Sequence, residues 1–153
     1  MNIATIRGIG PSEEGERIYC SVFNGTKSEV IAGDALCWDI TSSDGKTVTQ
    51  PTVGTNISNF AMFAGLTQSN IGTDDYAADV QNYGLASANV YGIATTLIFG
   101  AYLLLVAGRS YVAYGTAGMF AGSTAVAQPL CMTAMTTHST LDERVENVFI
   151  KAL

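Results

Sequence analysis

Three groups of residues in this chain are of types that can do chemistry. The first is Asp74, Asp75 and Asp79, in the stretch IGTDDYAADV. Clustered carboxylates suit a hard cation that takes oxygen ligands, but these lack the ligand spacing of a calcium loop. Asp74-Asp75 reads instead as a turn, because short carboxylate side chains bond readily to nearby backbone N–H groups. The second is His138, the only histidine. Any Ser–His or Cys–His nucleophile would have to work through it. It stands in the Thr/Ser-rich MTTHST and reads as a loop residue. The third is Cys20, Cys37 and Cys131, an odd number with no CxxC pair. That pattern argues against a zinc site and a disulfide framework. It predicts small, mostly buried thiols in a protein made in a reducing cytoplasm. Gly8-Ile9-Gly10 is followed by no phosphate-binding pattern. Glu143, Arg144 and Glu146 read as surface charges, and Trp38 as core. The expectation is therefore no catalytic, metal or cofactor site: no enzyme, and no cofactor.

Composition points the same way. The chain has 153 residues, 48% of them hydrophobic and only 13% charged, against ~25% charged in an ordinary soluble domain. Charged residues are depleted where a partner covers the surface. The formal net charge is −6, and the seven Lys and Arg residues are scattered singly. No basic patch is left to hold nucleic acid or an anionic membrane. The opening MNIATIRGIG lacks the apolar core of a secretory signal. The sequons Asn24-Gly25-Thr26 and Asn56-Ile57-Ser58 therefore read as chance matches.

The elements that would position such residues read as strands. Residues 1–17, with Gly8, Gly10, Pro11 and Gly15 among charges, read as an extended arm. Residues 18–153 read as one β domain. Ile18, Cys20 and Val22 alternate with Tyr19, Ser21 and Phe23, and Asn24-Gly25 is a strong turn signal. After the Gly33-Asp34 turn, Leu36, Trp38 and Ile40 share one face, with Ala35, Cys37 and Asp39 on the other. Asp44-Gly45 turns the chain into Thr47-Val48-Thr49, which Pro51 ends. Phe60, Met62, Ala64 and Leu66 are expected on one face, and Val80-Gln81-Asn82-Tyr83-Gly84 as a further short strand. Residues 113–140 read as loop plus one strand near 130–135, and Val148 and Ile150 mark a closing strand. A helical first turn at Leu141-Asp142-Glu143 is the alternative start to that ending. Short strands separated by recurrent turns imply an all-β fold: a small β-barrel, β-tulip-like or sandwich domain.

Residues 90–108, VYGIATTLIFGAYLLLVAG, pose a separate question because they carry no charge. A membrane helix needs ~20 predominantly apolar residues. Gly92 and Gly100 break this run, Thr95, Thr96 and Tyr102 dilute it, and its flanks lack clustered Lys and Arg. Two or three buried strands fit better, with Leu103-Leu104-Leu105-Val106 covered on both faces. A membrane-active protein using 90–108 is the competing reading.

Several of these motifs, taken in order, resemble tailed-bacteriophage capsid decoration proteins, also called cement proteins. The matching positions are Ala32-Gly33-Asp34, Trp38-Asp39, Asp44-Gly45, Phe63-Ala64-Gly65 and Val80-Gln81-Asn82-Tyr83-Gly84, with the terminal VFIKAL similar to a closing strand. The likeness covers about 30–84 and the last few residues, and Ala77-Ala78 depart from it where a glycine is expected. It implies a virion protein on the capsid exterior, made in the host cytoplasm. Such a protein binds the outer head as a homotrimer and clamps neighbouring capsomers of the major capsid protein against internal DNA pressure. On that reading the arm reaches onto capsid protein, with Arg7, Glu13, Glu14 and Arg17 as expected contacts. No direct partnership with nucleic acid or membrane is expected. A β-sandwich binding module, such as a head-fibre base or tail adaptor, is the alternative.

Overall fold

The computed structural model describes residues 16–52, 59–92, 97, 99–114, 132–137 and 143–151. Every long element in it is a strand. Chain order is β1 (Ile18–Asn24), β2 (Ala35–Trp38), β3 (Thr47–Thr49), a 3-10 turn (Phe60–Met62), β4 (Phe63–Thr67), β5 (Tyr76–Gly92), β6 (Leu104–Leu105), β7 (Val112–Tyr114), β8 (Met132–Ala134) and β9 (Glu143–Lys151). The fold is all-β, as the alternation predicts.

Five strands close into a barrel in the order β1-β3-β2-β4-β5 and back to β1. The β1–β3 pair is parallel, and the other four pairs are antiparallel. Closure leaves no free sheet edge in this ring. Its interior holds Val22, Val30, Leu36, Val48, Ala64, Ile71 and Val80, with Trp38 packed against them. The period-2 pattern explains the filling, since β2 sends Leu36 and Trp38 inward and Ala35 and Cys37 outward.

The outward residues meet a second core. β5 outruns the barrel, and its upper half pairs with β9 from Tyr83↔Lys151 to Tyr91↔Glu143. β9 pairs with β8. From β8 the hydrogen bonds pass to residues 100–103: Leu103 N–H donates to the Met132 carbonyl (3.1 Å), and Ala134 N–H to the Ala101 carbonyl (2.8 Å). That segment runs on into β6, which pairs with β7, and β7 returns to β5 in parallel. Leu97, Leu103, Leu105, Val112, Met132, Val148 and Ile150 fill this second ring and pack on Ala35, Cys37, Phe63 and Leu66 of the barrel.

Three expectations need correcting. Phe60 and Met62 lie in the 3-10 turn, not the strand, and a register shift between Leu36 and Cys37 turns Ala64 and Leu66 to different cores. The strand expected at 80–84 is the middle of a 17-residue one. Gly84 allows it to continue: with φ +96°, any Cβ there would collide with the Glu16 carbonyl oxygen. Third, β6 is only two residues long. Leu103, Leu104 and Leu105 are nonetheless all buried, whereas Val106, expected with them, is half-buried. No helix among the described residues is long and apolar enough to cross a membrane. Of 90–108, residues 93–96 and 98 lie outside the described set.

Candidate interaction surface

Among the described residues, the chemistry-bearing side chains do not converge. Asp74 has φ +54° and forms a turn with Asp75, whose Oδ1 accepts from Tyr76 N–H at 2.8 Å. Asp79 lies apart from that turn, in β5. Among the described residues no group of His, Cys, Asp or Glu could hold a metal ion. Cys37 is buried and Cys20 half-buried, and neither is in a disulfide. Burial pushes the Cys20 thiol up to about 11, which keeps it protonated and a poor nucleophile at neutral pH. His138 and Cys131 lie outside the described residues, as do Arg7, Glu13 and Glu14. Arg17 is half-buried immediately before β1, beside Gly84.

Two polar turns hold themselves together. The Asp44 carboxylate accepts from Lys46 N–H, Thr47 N–H and Thr47 Oγ1, at 2.9, 2.9 and 2.6 Å. The Asp39 carboxylate accepts from Thr41 N–H and Oγ1 at 2.8 and 2.7 Å. These donors, the Thr47 and Thr41 hydroxyls foremost, hold both carboxyls below their ordinary range.

The Ala32-Gly33-Asp34 turn does more, because it joins the two rings. Asp34 and Asn89 are both buried, and Asn89 Nδ2 donates to Asp34 Oδ1 (2.9 Å) and to the Ala32 carbonyl (3.1 Å). The other Asp34 oxygen accepts from Ile31 N–H at 3.1 Å, and Thr67 Oγ1 donates to the Ile31 carbonyl at 2.7 Å. Asn89 N–H reaches the Gly33 carbonyl, and Gly33 N–H the Thr67 carbonyl, at 2.9 and 2.8 Å. Gly33, at φ +90°, is required here because a Cβ would sit 3.0 Å from Asn89. Buried polar groups satisfied this fully fix a single arrangement.

The outer wall of the second ring presents a different surface. In strand register Leu85 of β5 faces Phe149 of β9, Phe149 faces Thr133 of β8, and Thr133 bridges to Tyr102. These four residues form one row across β5, β9, β8 and the segment leading into β6, free of charge. Leu85 is 36% exposed, Phe149 37% and Tyr102 56%. Tyr83 stands edge-on to the Phe149 ring, with centroids 5.5 Å apart. On the same face of β9, Val145 is 64% exposed. Singly exposed apolar residues are ordinary, whereas a contiguous row marks a surface fit to be covered. Phe149 was visible in the sequence as the partner face of Val148 and Ile150. Leu85 was not, because Gly84 looks in the sequence like the end of that strand. The pairing of Tyr102 with β8 is non-local and leaves no pattern in the chain.

Compared with models of known protein families and with curated proteins, the chain matches none.

Proposed function

We propose that this protein is structural and works by binding other proteins: a decoration protein on the outside of a phage head. It would sit as a homotrimer between capsomers of the major capsid protein and hold them together against the packaged DNA. The uncharged row Leu85–Phe149–Thr133–Tyr102 carries the reading, because it offers a surface to a partner and no chemistry to a substrate. Two further features support it. The motifs that resemble decoration proteins occupy structural positions here, with Ala32-Gly33-Asp34 clasping the rings and Asp44-Gly45 turning between β2 and β3. The chain is also poor in charge, as surfaces covered by a partner are. Many trivalent copies on one lattice would bind by avidity from weak single contacts.

The test is to purify particles of the phage that encodes this chain, with the gene intact and deleted, and to compare them by cryo-electron microscopy and by resistance to heat. Added density on the outer shell, and earlier DNA release without the chain, are expected. Particles of identical density and stability would overturn the proposal.

A further inference from the structure

The chain contains eight asparagines, and only Asn24 precedes glycine; the others precede Ile, Phe, Tyr or Val. Asparagine before glycine is the pair most prone to spontaneous deamidation, since nothing on the next residue shields its backbone nitrogen. That nitrogen loses its proton and bonds to the Asn Cγ, and the side-chain nitrogen leaves as ammonia. Water then opens the succinimide ring to aspartate or isoaspartate.

The fold blocks each part of this reaction. Gly25 N–H is engaged by the Val48 carbonyl at 2.9 Å, so the attacking nitrogen faces away on another bond. The amide it must attack is fully buried. Its Nδ2 donates to the Ser28 and Gly72 carbonyls at 2.8 and 2.9 Å. Its Oδ1 accepts from Thr26 N–H and Oγ1 at 2.9 and 2.7 Å. Backbone N–H of the same residue bonds the Asp75 carbonyl at 2.9 Å. One side chain thus pins the turn after β1 to the segment before β5.

The product could not fill that position. A carboxylate at position 24 has no proton to give, so its oxygen would face the Ser28 and Gly72 carbonyls across hydrogen-bond distance, buried and unpaired. The isoaspartyl form would in addition lengthen the backbone where Asn24 lies in register with Val48. We propose that Asn24-Gly25 is a modification site exposed only in molecules that have opened: deamidation there marks an opened chain and bars it from folding back. The reaction needs water alone, so the site records chain opening without an enzyme.

The test holds the full chain folded in one sample and unfolded in urea in another, both in mildly alkaline buffer. Peptide mass spectrometry follows the gain of about 1 Da at residue 24. Conversion in the folded sample should be at least about tenfold slower, because it must wait for local opening. The unfolded sample is then returned to native buffer at partial conversion. Unmodified molecules should enter the folded fraction, and modified ones should be excluded. Equal rates in the two samples, or modified molecules distributed like unmodified ones, would overturn the proposal. Should the whole chain fail to refold, Asn24→Asp expressed directly decides: a variant that folds in native buffer overturns it, and loss of folded product supports it.

Discussion

The two rings of this molecule share a strand but hold their shape by different means. The first barrel is tied by side chains at its corners. Asn24, Asp34, Asp39 and Asp44 each bond backbone N–H or carbonyl groups within a few residues or across to a neighbouring loop. The second ring relies on backbone pairing, above all the nine residue pairs of β5 with β9, and on a larger apolar core. Corner chemistry fixes register locally, so strands as short as β3 suffice. A long antiparallel ladder fixes register by length, because a slip of one residue would turn Ala86, Ala88 and Val90 out of the core.

The most damaging way to break this contrast is a charge buried in the wall of the second ring. Leu104→Asp would bury a carboxylate with no partner, and loss of folded protein is expected by circular dichroism and soluble yield. A native spectrum would show that this wall of the ring is dispensable. Next come matched cavities. Leu36→Ala in the first core and Leu105→Ala in the second should each cost about 2–5 kcal/mol in urea unfolding. Trp38, the single tryptophan, packs on the first core. Its fluorescence should therefore follow Leu105→Ala if the shared β5 makes both rings unfold together. Separate transitions for fluorescence and circular dichroism would show that the rings are independent units.

The clasp between the rings should weigh less. Asn89→Ala strands Asp34 Oδ1 and the Ala32 carbonyl, at a cost of about 1–3 kcal/mol by the same assay. Acid should have the smallest effect. Asp39 and Asp44 have folded-state pKa values below their unfolded ones. Their contribution is present above the unfolded carboxylate range, about 4, and is lost as pH falls below it through the folded values. The urea midpoint of wild type should lie slightly above that of Asp44→Asn near neutral pH, and the gap should close as pH falls through that acid range.

The same contrast explains what could be read from the chain. Asn24-Gly25, Gly33-Asp34 and Asp44-Gly45 announce the corners of the first barrel, because turn chemistry is local and residue-specific. Leu36 and Trp38 against Ala35 and Cys37 announce its two faces. The second ring stayed hidden for the opposite reason. β5 passes through Gly84 without turning, since the glycine serves a close approach by Glu16. β6 and β7 are too short to show a period, and the partner of Tyr102 lies far along the chain. The exposed row is legible only once those pairings are known, since its members come from three separate strands and the segment before β6.

One residue occupies an unusual position. Tyr83 pairs with Ile18, the first residue of β1, on one edge and with Lys151, the last of β9, on the other. The two outermost strand ends therefore lie side by side at the middle of β5, about 10 Å apart at the usual strand spacing. A load pulling those ends apart would open β1 and β9 like two zips, one hydrogen bond at a time, starting from Tyr83. A load spread over the walls of the rings would have to shear whole ladders at once. The molecule is thus mechanically weak along one line and strong in other directions.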